Sequence, residues 1–206
     1  MTENRMAGGV LHQIVVVTRC RYTLLGLKAL MAQSAVPAEI IQVSRPEAVT
    51  RGSWSVNYSR LLLVDISGTP KEIARSRVFL WRWLGLCTRG LTEAMPWLLL
   101  ENDRGKGRHH SLTSRQSVTQ LVAKISEVLL HPERRCSCPG AEYRGGLSDL
   151  QSEILNRTLA GDSVYEIAAA LAVTRQSVFA SRSALIEKLG LRNRMELMSL
   201  TMEDFQ

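Results

Sequence analysis

Residues 147–200 read LSDLQSEILNRTLAGDSVYEIAAALAVTRQSVFASRSALIEKLGLRNRMELMSL, and signals that start and stop helices recur through the stretch. Three small polar residues are each followed three positions later by an amide or an acid: Ser148 with Gln151, Ser163 with Glu166 and Asn193 with Glu196. At this spacing side chains satisfy the unpaired N–H groups of a helix start. Gly161 and Gly190 supply left-handed residues that end helices. The stretch therefore predicts a compact module of four short helices.

Two of these helices form a helix-turn-helix. A short helix is predicted over Val164–Leu171, and Thr174 caps a longer one that reaches about Leu189. The apolar stripe of the longer helix is Val178, Leu185 and Leu189, which seats it on the other helices. The remaining face carries Arg175, Gln176, Phe179, Ala180, Arg182 and Ser183. Arg and Gln can hydrogen-bond base edges in a major groove, and apolar side chains can touch thymine methyls.

The stretch resembles the LuxR/FixJ-type helix-turn-helix of bacterial transcription regulators. The matching positions are Leu147–Ser148, Glu153, Leu155, Gly161, Ser163, Glu166–Ala168, Leu171, Val173, Ser177–Val178, Leu185, Lys188–Gly190, Asn193–Arg194 and Glu196. The resemblance implies that the longer helix reads double-stranded DNA. The predicted DNA-binding residues are Thr174, Arg175, Gln176, Ser177, Phe179, Ala180, Arg182, Ser183, Lys188, Arg192 and Arg194.

Departures from the family pattern qualify that expectation. The family often has Lys where this chain has Phe179, which implies a modest intrinsic DNA affinity. The net charge of +7 does not come from this region, because residues 147–206 hold six Lys and Arg against eight Asp and Glu. Residues 174–194, however, contain five Lys and Arg and a single acidic residue, Glu187. The local cluster thus indicates nucleic-acid binding better than the global charge does.

The first part of the chain alternates strands with helices. Strands are predicted at His12–Thr18, Glu39–Val43, Arg60–Ile66 and Trp97–Glu101, and helices at Tyr22–Gln33, Pro70 to about Gly90, and Ser117–Leu130. Alternation of this kind predicts a doubly wound α/β domain with a mostly parallel sheet. The exception is Val49–Ser59, where a second helix belongs in that order and where Gly52, Ser53 and Ser55 disfavour one.

This order resembles the flavodoxin-like receiver domain that LuxR/FixJ-type regulators often carry. Asp65 ends the third strand, where a receiver places its phosphoacceptor. Phosphoryl transfer also needs acids that hold Mg²⁺, yet the first strand ends Thr18-Arg19-Cys20-Arg21. The Lys of a receiver's fifth strand is also missing from Ser111–Ser114. We therefore predict a degenerate receiver in which Asp65 pairs with Arg19 or Arg21. Auxiliary regulators of the RcsA and BglJ type share this architecture and act by dimerising with a partner such as RcsB.

Two domains are predicted, a receiver-like domain at 10–131 and a helix-turn-helix domain at 147–206. The linker at 132–146 is rich in Pro and Gly. The thiols of Cys136 and Cys138 lie in that linker and fit no common zinc spacing. No membrane segment, metal, cofactor or small-molecule ligand is expected, nor a nucleophile–base pair of an enzyme. We expect a cytoplasmic location.

The leading hypothesis is a DNA-binding transcription regulator that acts as a homodimer or as a heterodimer with a related regulator, independently of phosphorylation. Its last helix, Asn193 to about Met202, would supply dimer contacts at Met195, Leu197 and Met198. One alternative is a co-regulator that works mainly through protein contacts with a partner regulator. Another is a response regulator phosphorylated on Asp65. A sensor of diffusible signals is disfavoured, because few aromatic residues are available to line an apolar pocket.

Overall fold

A computed structural model describes residues 11–43, 48–49, 58–91, 94–102, 111–132 and 147–201 of the chain. Its strands are β1 (Leu11–Val17), β2 (Ala38–Val43), β3 (Tyr58–Ile66), β4 (Trp97–Glu101) and β5 (Ser111–Thr113). Its helices are α1 (Arg21–Ala32), α2 (Pro70–Thr88), α3 (Val118–Leu130), α4 (Asp149–Leu159), α5 (Val164–Ala170), α6 (Arg175–Leu189) and α7 (Arg194–Met198). We call residues 11–131 the sheet domain and residues 147–201 the four-helix domain.

The sheet has the order β2-β1-β3-β4-β5, and every pair of neighbouring strands is parallel. Its central strands are continuous apolar runs, such as Ile14–Val17 and Leu61–Val64, because helices cover both faces. Val15, Leu62 and Val64 pack towards α2, whereas Ile14, Val16 and Leu61 pack towards α1 and α3. The predicted receiver-like α/β fold is confirmed.

Most element limits agree with those predicted from the sequence to within a few residues. The small differences are that β2 begins at Ala38, β3 begins at Tyr58 and α2 ends at Thr88. Of the segment 49–59, in which the sequence disfavours a second helix, residues 50–57 lie outside the described residues, as do both linker cysteines. The predicted domain limits stay a prediction for the same reason. No helix in the described part of the chain combines the length and the apolar character needed to cross a membrane.

The helix signals of the four-helix domain act as the sequence predicts. The hydroxyls of Ser148 and Ser163 accept from the N–H groups of Gln151 and Glu166, whose side chains bond back to the capping residues. Asn193 Oδ1 accepts from the N–H of Glu196 at 3.0 Å. Gly161 and Gly190 adopt φ values of 93° and 72°, the left-handed conformation in which glycine carries no steric cost. The last helix is shorter than predicted and ends at Met198.

The two domains touch through α2 and the end of α6. Ala74 and Val78 of α2 are buried in the same apolar cluster as Leu185 and Leu189 of α6. Arg77 Nη1 donates to the carbonyl oxygen of Lys188 at 2.9 Å. A cation at this position complements the negative end of the helix dipole. One helix of the sheet domain therefore caps the carboxyl end of α6.

Candidate nucleic-acid interface

The buried face of α6 fixes its position against α4 and α5. Val178, Leu185 and Leu189 are fully buried there, together with Ile154 of α4 and Ile167 of α5. Burial of side chains of this size stabilises the folded domain by about 1.5–3 kcal/mol each. The opposite face of α6 is consequently held in one orientation relative to the rest of the domain.

The exposed face of α6 begins at its first turn. Thr174 Oγ1 caps the helix by accepting from the N–H of Ser177 at 3.1 Å. The side chains of six predicted DNA-binding residues are exposed in this half of the helix or directly before it: Thr174, Arg175, Gln176, Ser177, Phe179 and Ala180. Ser183 is also exposed, one turn further on. The structure thus brings these seven residues together on one open surface, which we call the α6 face.

Two arginines on this surface lie over aromatic rings. The guanidinium carbon of Arg175 is 4.9 Å from the centre of the Tyr165 ring, and that of Arg194 is 6.0 Å from the centre of the Phe179 ring. Contacts of this kind contribute about 0.5–1 kcal/mol at exposed sites and restrict the arginine side chain. Tyr165 is not among the residues that the sequence predicts to bind DNA. In the sequence, Tyr165 is an aromatic residue two positions after the Ser163 cap. It does not lie on the helix face that buries Ile167 and Ala168, and this indicates that its ring is exposed.

Arg182 is a correction to the predicted set. The sequence placed it on the exposed face, but its side chain is buried, with 4% relative exposure. Arg182 Nε donates to Thr158 Oγ1 and Nη2 donates to the carbonyl oxygen of Asp162, both at 3.1 Å. Burial first, and the charge of Arg194 second, lower the pKa of this guanidinium. Arg182 therefore ties α6 to the turn after α4 and does not present itself to a ligand.

Lys188 and Leu197 also lie differently from expectation. Lys188 Nζ donates to Gln151 Oε1 at 2.8 Å, so this half-buried lysine joins α6 to α4. Leu197 is fully buried in the core of the four-helix domain, and it is wrong as a predicted dimer contact. Met195 and Met198, by contrast, are 76% and 42% exposed. Arg192 and Arg194 are exposed beside the α6 face, as a phosphate contact would require.

Asp65 lies at the carboxyl end of β3, as predicted, but its partners are not arginines. Its Oδ2 accepts from Thr18 Oγ1 at 2.8 Å, and its Oδ1 accepts from the N–H and hydroxyl of Ser67 at 3.0 and 2.6 Å. The expected pairing with Arg19 or Arg21 is therefore wrong. The carboxylate is buried, and hydroxyls and an amide satisfy both of its oxygens.

The fold and this surface define a two-domain chain with a parallel α/β domain and a helix-turn-helix module. Residues 146–201 match the family model described as "Bacterial regulatory proteins, luxR family", which identifies this segment as a GerE/LuxR-type helix-turn-helix domain. The match covers about a quarter of the chain. No curated protein matches the chain in sequence.

Solved structures with the same order of domains are similar to the chain over most of its length. The response regulator StyR is 16% identical, with 91% of this chain and 96% of that one covered and a TM-score of 0.42. The response regulator RcsB in its DNA complex is 15% identical over 91% and 97%, with a TM-score of 0.45. FixJ from B. japonicum is 15% identical over 93% and 96%, with a TM-score of 0.40. At these values the likeness is one of general outline.

Proposed function

We propose that this chain is a DNA-binding transcription regulator of the LuxR type, and that the α6 face reads double-stranded DNA. The observation that carries the proposal is the exposed amino-terminal half of α6, held on a buried core within the segment that matches the luxR family. A helix of this diameter fits the major groove, where the first residues of a recognition helix meet base edges. Such a protein acts in the cytoplasm of a bacterium and is not an enzyme.

Each exposed side chain has a role that fits its chemistry. Arg175 and Gln176 offer donors to the acceptors of guanine and adenine. Phe179 and Ala180 offer apolar contact to thymine methyl groups. Arg192 and Arg194 follow α6 and are placed to contact phosphates, which position the helix without specifying sequence. Tyr165 supports the readout by restricting Arg175.

The proposed functional unit is a dimer. Met195 and Met198 are exposed apolar side chains on α7, and they are the contacts we propose between two four-helix domains. A two-fold pair of recognition helices implies a target with two half-sites about one helical turn, or a multiple of it, apart. The partner is a second copy of this chain or a related regulator.

We further propose that the regulator works without phosphorylation. Phosphoryl transfer to Asp65 would require the attacking carboxylate oxygen to give up its hydrogen bonds, which run to Thr18 for Oδ2 and to Ser67 for Oδ1. The residues that follow β1 are Thr18, Arg19, Cys20 and Arg21, so no acid stands there to hold the metal that the chemistry uses. Incubation with acetyl phosphate should leave the mass of the chain unchanged, and Asp65→Asn should leave DNA binding unchanged. A mass gain of one phosphoryl group that Asp65→Asn abolishes would overturn this part.

A second candidate function is a co-regulator that acts mainly through protein contacts. The observations that favour it are the exposed aromatic rings of Tyr165 and Phe179 and the net acidic charge of residues 147–206. In that case the protein would bind DNA only beside a partner regulator.

A salt series separates the two functions. DNA fragments selected from a genomic pool by the purified protein are titrated at several salt concentrations, with and without a candidate partner regulator. A DNA reader binds alone, with an affinity that falls steeply as salt rises, because each phosphate contact releases counterions. Binding that requires the partner at every salt concentration favours the co-regulator.

Variants then locate the surface. We expect Arg175→Ala and Gln176→Ala each to weaken binding to the selected site about tenfold and to relax its sequence preference. Arg192→Ala should weaken binding to all sequences alike and reduce the salt slope by about one. Arg89→Ala removes an exposed charge directly after α2 and is the matched control. Equal losses for Arg175→Ala and Arg89→Ala would mean that the α6 face does not read DNA.

A further inference from the structure

The α6 face carries one exposed aromatic ring among side chains that are mostly polar. Phe179 and Ala180 are its two members without a polar group in the side chain, and Phe179 is 49% exposed. The other five residues of the face offer hydroxyl, amide or guanidinium groups. A phenyl ring carries neither a polar handle nor a charge that would neutralise a phosphate. Shape and apolar contact are therefore what Phe179 brings to this surface.

A cation restricts the ring from one side. The guanidinium carbon of Arg194, the first residue of α7, lies over the ring of Phe179 at 6.0 Å from its centre. The charge of Arg194 also helps to lower the pKa of the buried Arg182 of α6, after the larger effect of burial. Both observations place the start of α7 beside the middle of α6. Contact with Arg194 holds the ring in place, and about half of Phe179 stays open to a ligand.

The major groove of DNA offers one apolar partner for such a ring. Thymine presents a methyl group on C5 there, whereas the edges of the other three bases present hydrogen-bond donors and acceptors. The modified base 5-methylcytosine carries the same methyl group on the same carbon. Because Phe179 has no donor or acceptor with which to tell O4 of thymine from the amino group of cytosine, it can read only the methyl group.

We propose that Phe179 is a specificity-determining residue that recognises the 5-methyl group of a pyrimidine, so that the α6 face accepts either thymine or 5-methylcytosine at one position of each half-site. The inference rests on the proposed function, because it requires the α6 face to lie in the major groove. It goes beyond that function in one respect: the chain distinguishes methylated from unmethylated cytosine at this position.

The first test changes the DNA and leaves the full chain intact. Each thymine of the site that the chain selects is replaced in turn by uracil, which lacks only the 5-methyl group, and affinity is measured by fluorescence anisotropy. We expect one thymine in each half-site whose replacement weakens binding about fourfold, the factor that burial of one methyl-sized group gives. Equal affinity for every replaced site would overturn the inference and leave the proposed function standing. Failure to bind any DNA would overturn both.

The second test asks whether the methyl group is read by itself. At the sensitive position, the thymine–adenine pair is replaced by a cytosine–guanine pair with and without the 5-methyl group on the cytosine. The methylated site should bind about fourfold more tightly than the unmethylated one, because the two differ only in the methyl group. Equal affinities would mean that the polar groups of the thymine–adenine pair are read instead, and would overturn the proposal.

Variants assign the effect to Phe179. Phe179→Ala should abolish the difference in affinity between thymine and uracil at the sensitive position. Phe179→Lys should abolish it as well and increase the salt slope by about one, because the added cation contacts a phosphate. Tyr165→Ala is the matched control, since it removes an exposed aromatic ring that is paired with Arg175, and it should leave the thymine-to-uracil ratio unchanged. A ratio that survives both changes at Phe179 would give the methyl contact to another residue and overturn the assignment.

Discussion

The first half of α6 is mostly exposed to solvent, whereas its second half carries most of the buried residues of the helix. Its first two turns carry Arg175, Gln176 and Phe179 in solvent, whereas its later turns carry Arg182, Leu185 and Leu189 in the core. Arg175 and Arg182 are two arginines seven residues apart on one helix, and they differ in what surrounds them. Charge type alone therefore does not locate a binding surface. Variants that remove one feature from each half of α6 test this difference directly.

The largest effect is expected from Arg182→Ala. The change removes one buried and one partly buried hydrogen bond and leaves the carbonyl oxygen of Asp162 without the Arg182 donor, which should lower the free energy of unfolding by about 1–3 kcal/mol. Chemical denaturation of the full chain measures it. Arg192→Ala is the control, because that side chain is 78% exposed, and its change should stay within about 0.5 kcal/mol. A destabilisation no larger than the control would make Arg182 a surface residue after all.

The cap of the exposed half should give the next largest effect. Thr174→Ala removes the hydroxyl that accepts from the N–H of Ser177, so it should lower the free energy of unfolding by about 1 kcal/mol. Thr174→Ser keeps the hydroxyl and should restore most of the stability, which circular dichroism on heating can measure. If serine and alanine behave alike, the cap contributes nothing to the exposed half.

The contact between the domains should give a smaller effect. Arg77→Ala removes the hydrogen bond to the carbonyl oxygen of Lys188 and should lower the free energy of unfolding of the four-helix domain by about 0.5–1.5 kcal/mol. Hydrogen exchange of the last turn of α6, compared with that of its first turn, measures the loss locally. Arg89→Ala serves as the control. Faster exchange at both ends of α6 would contradict the local role assigned to Arg77.

The smallest effect is a pH dependence at the Ser163 cap. Hydrogen bonds from the backbone and the side chain of Ser163 lower the pKa of Glu166 below its ordinary value of 4.5. A carboxyl group whose pKa is lower in the folded state stabilises the fold above its unfolded pKa, and this contribution is lost as the pH falls through the folded value. Glu166→Gln keeps an acceptor but cannot titrate. Thermal melts of the two proteins should therefore differ in their pH dependence only below about pH 4.5; a difference that appears only at higher pH would contradict the assignment.

Local chemistry explains which features the sequence predicts well. The caps at Ser148, Ser163 and Asn193 depend on residues three positions apart, so each signal is complete within one turn. The strands of the sheet are equally predictable from the sequence, because apolar runs with β-branched residues are buried on both faces.

The position of Arg182 in the sequence also indicates burial, although its residue type does not. It stands four residues after Val178 and three before Leu185, on the same stripe as those core residues. Arginine is seldom fully buried, and that expectation outweighed the spacing. The hydroxyl of Ser163 bonds only within its own turn, whereas that of Thr158 donates to the carbonyl oxygen of Ile154 and also accepts from Arg182 on another helix.

Contacts between residues far apart in the sequence could not be predicted from the sequence. The hydrogen bond from Thr18 to Asp65 joins two strands 47 residues apart, and the one from Arg77 to Lys188 joins two domains 111 residues apart. Neither residue pair carries a pattern, because the contact follows from how whole elements pack.

Helix α2 packs on two sides, with Phe79 towards the sheet and with Ala74 and Arg77 towards the four-helix domain. A rigid helix of 19 residues cannot shift one face and leave the other in place. Thermodynamic linkage then sets the consequence. If DNA binding changed how strongly α2 packs on the sheet by some factor, a change in that packing would alter the affinity of the chain for DNA by the same factor.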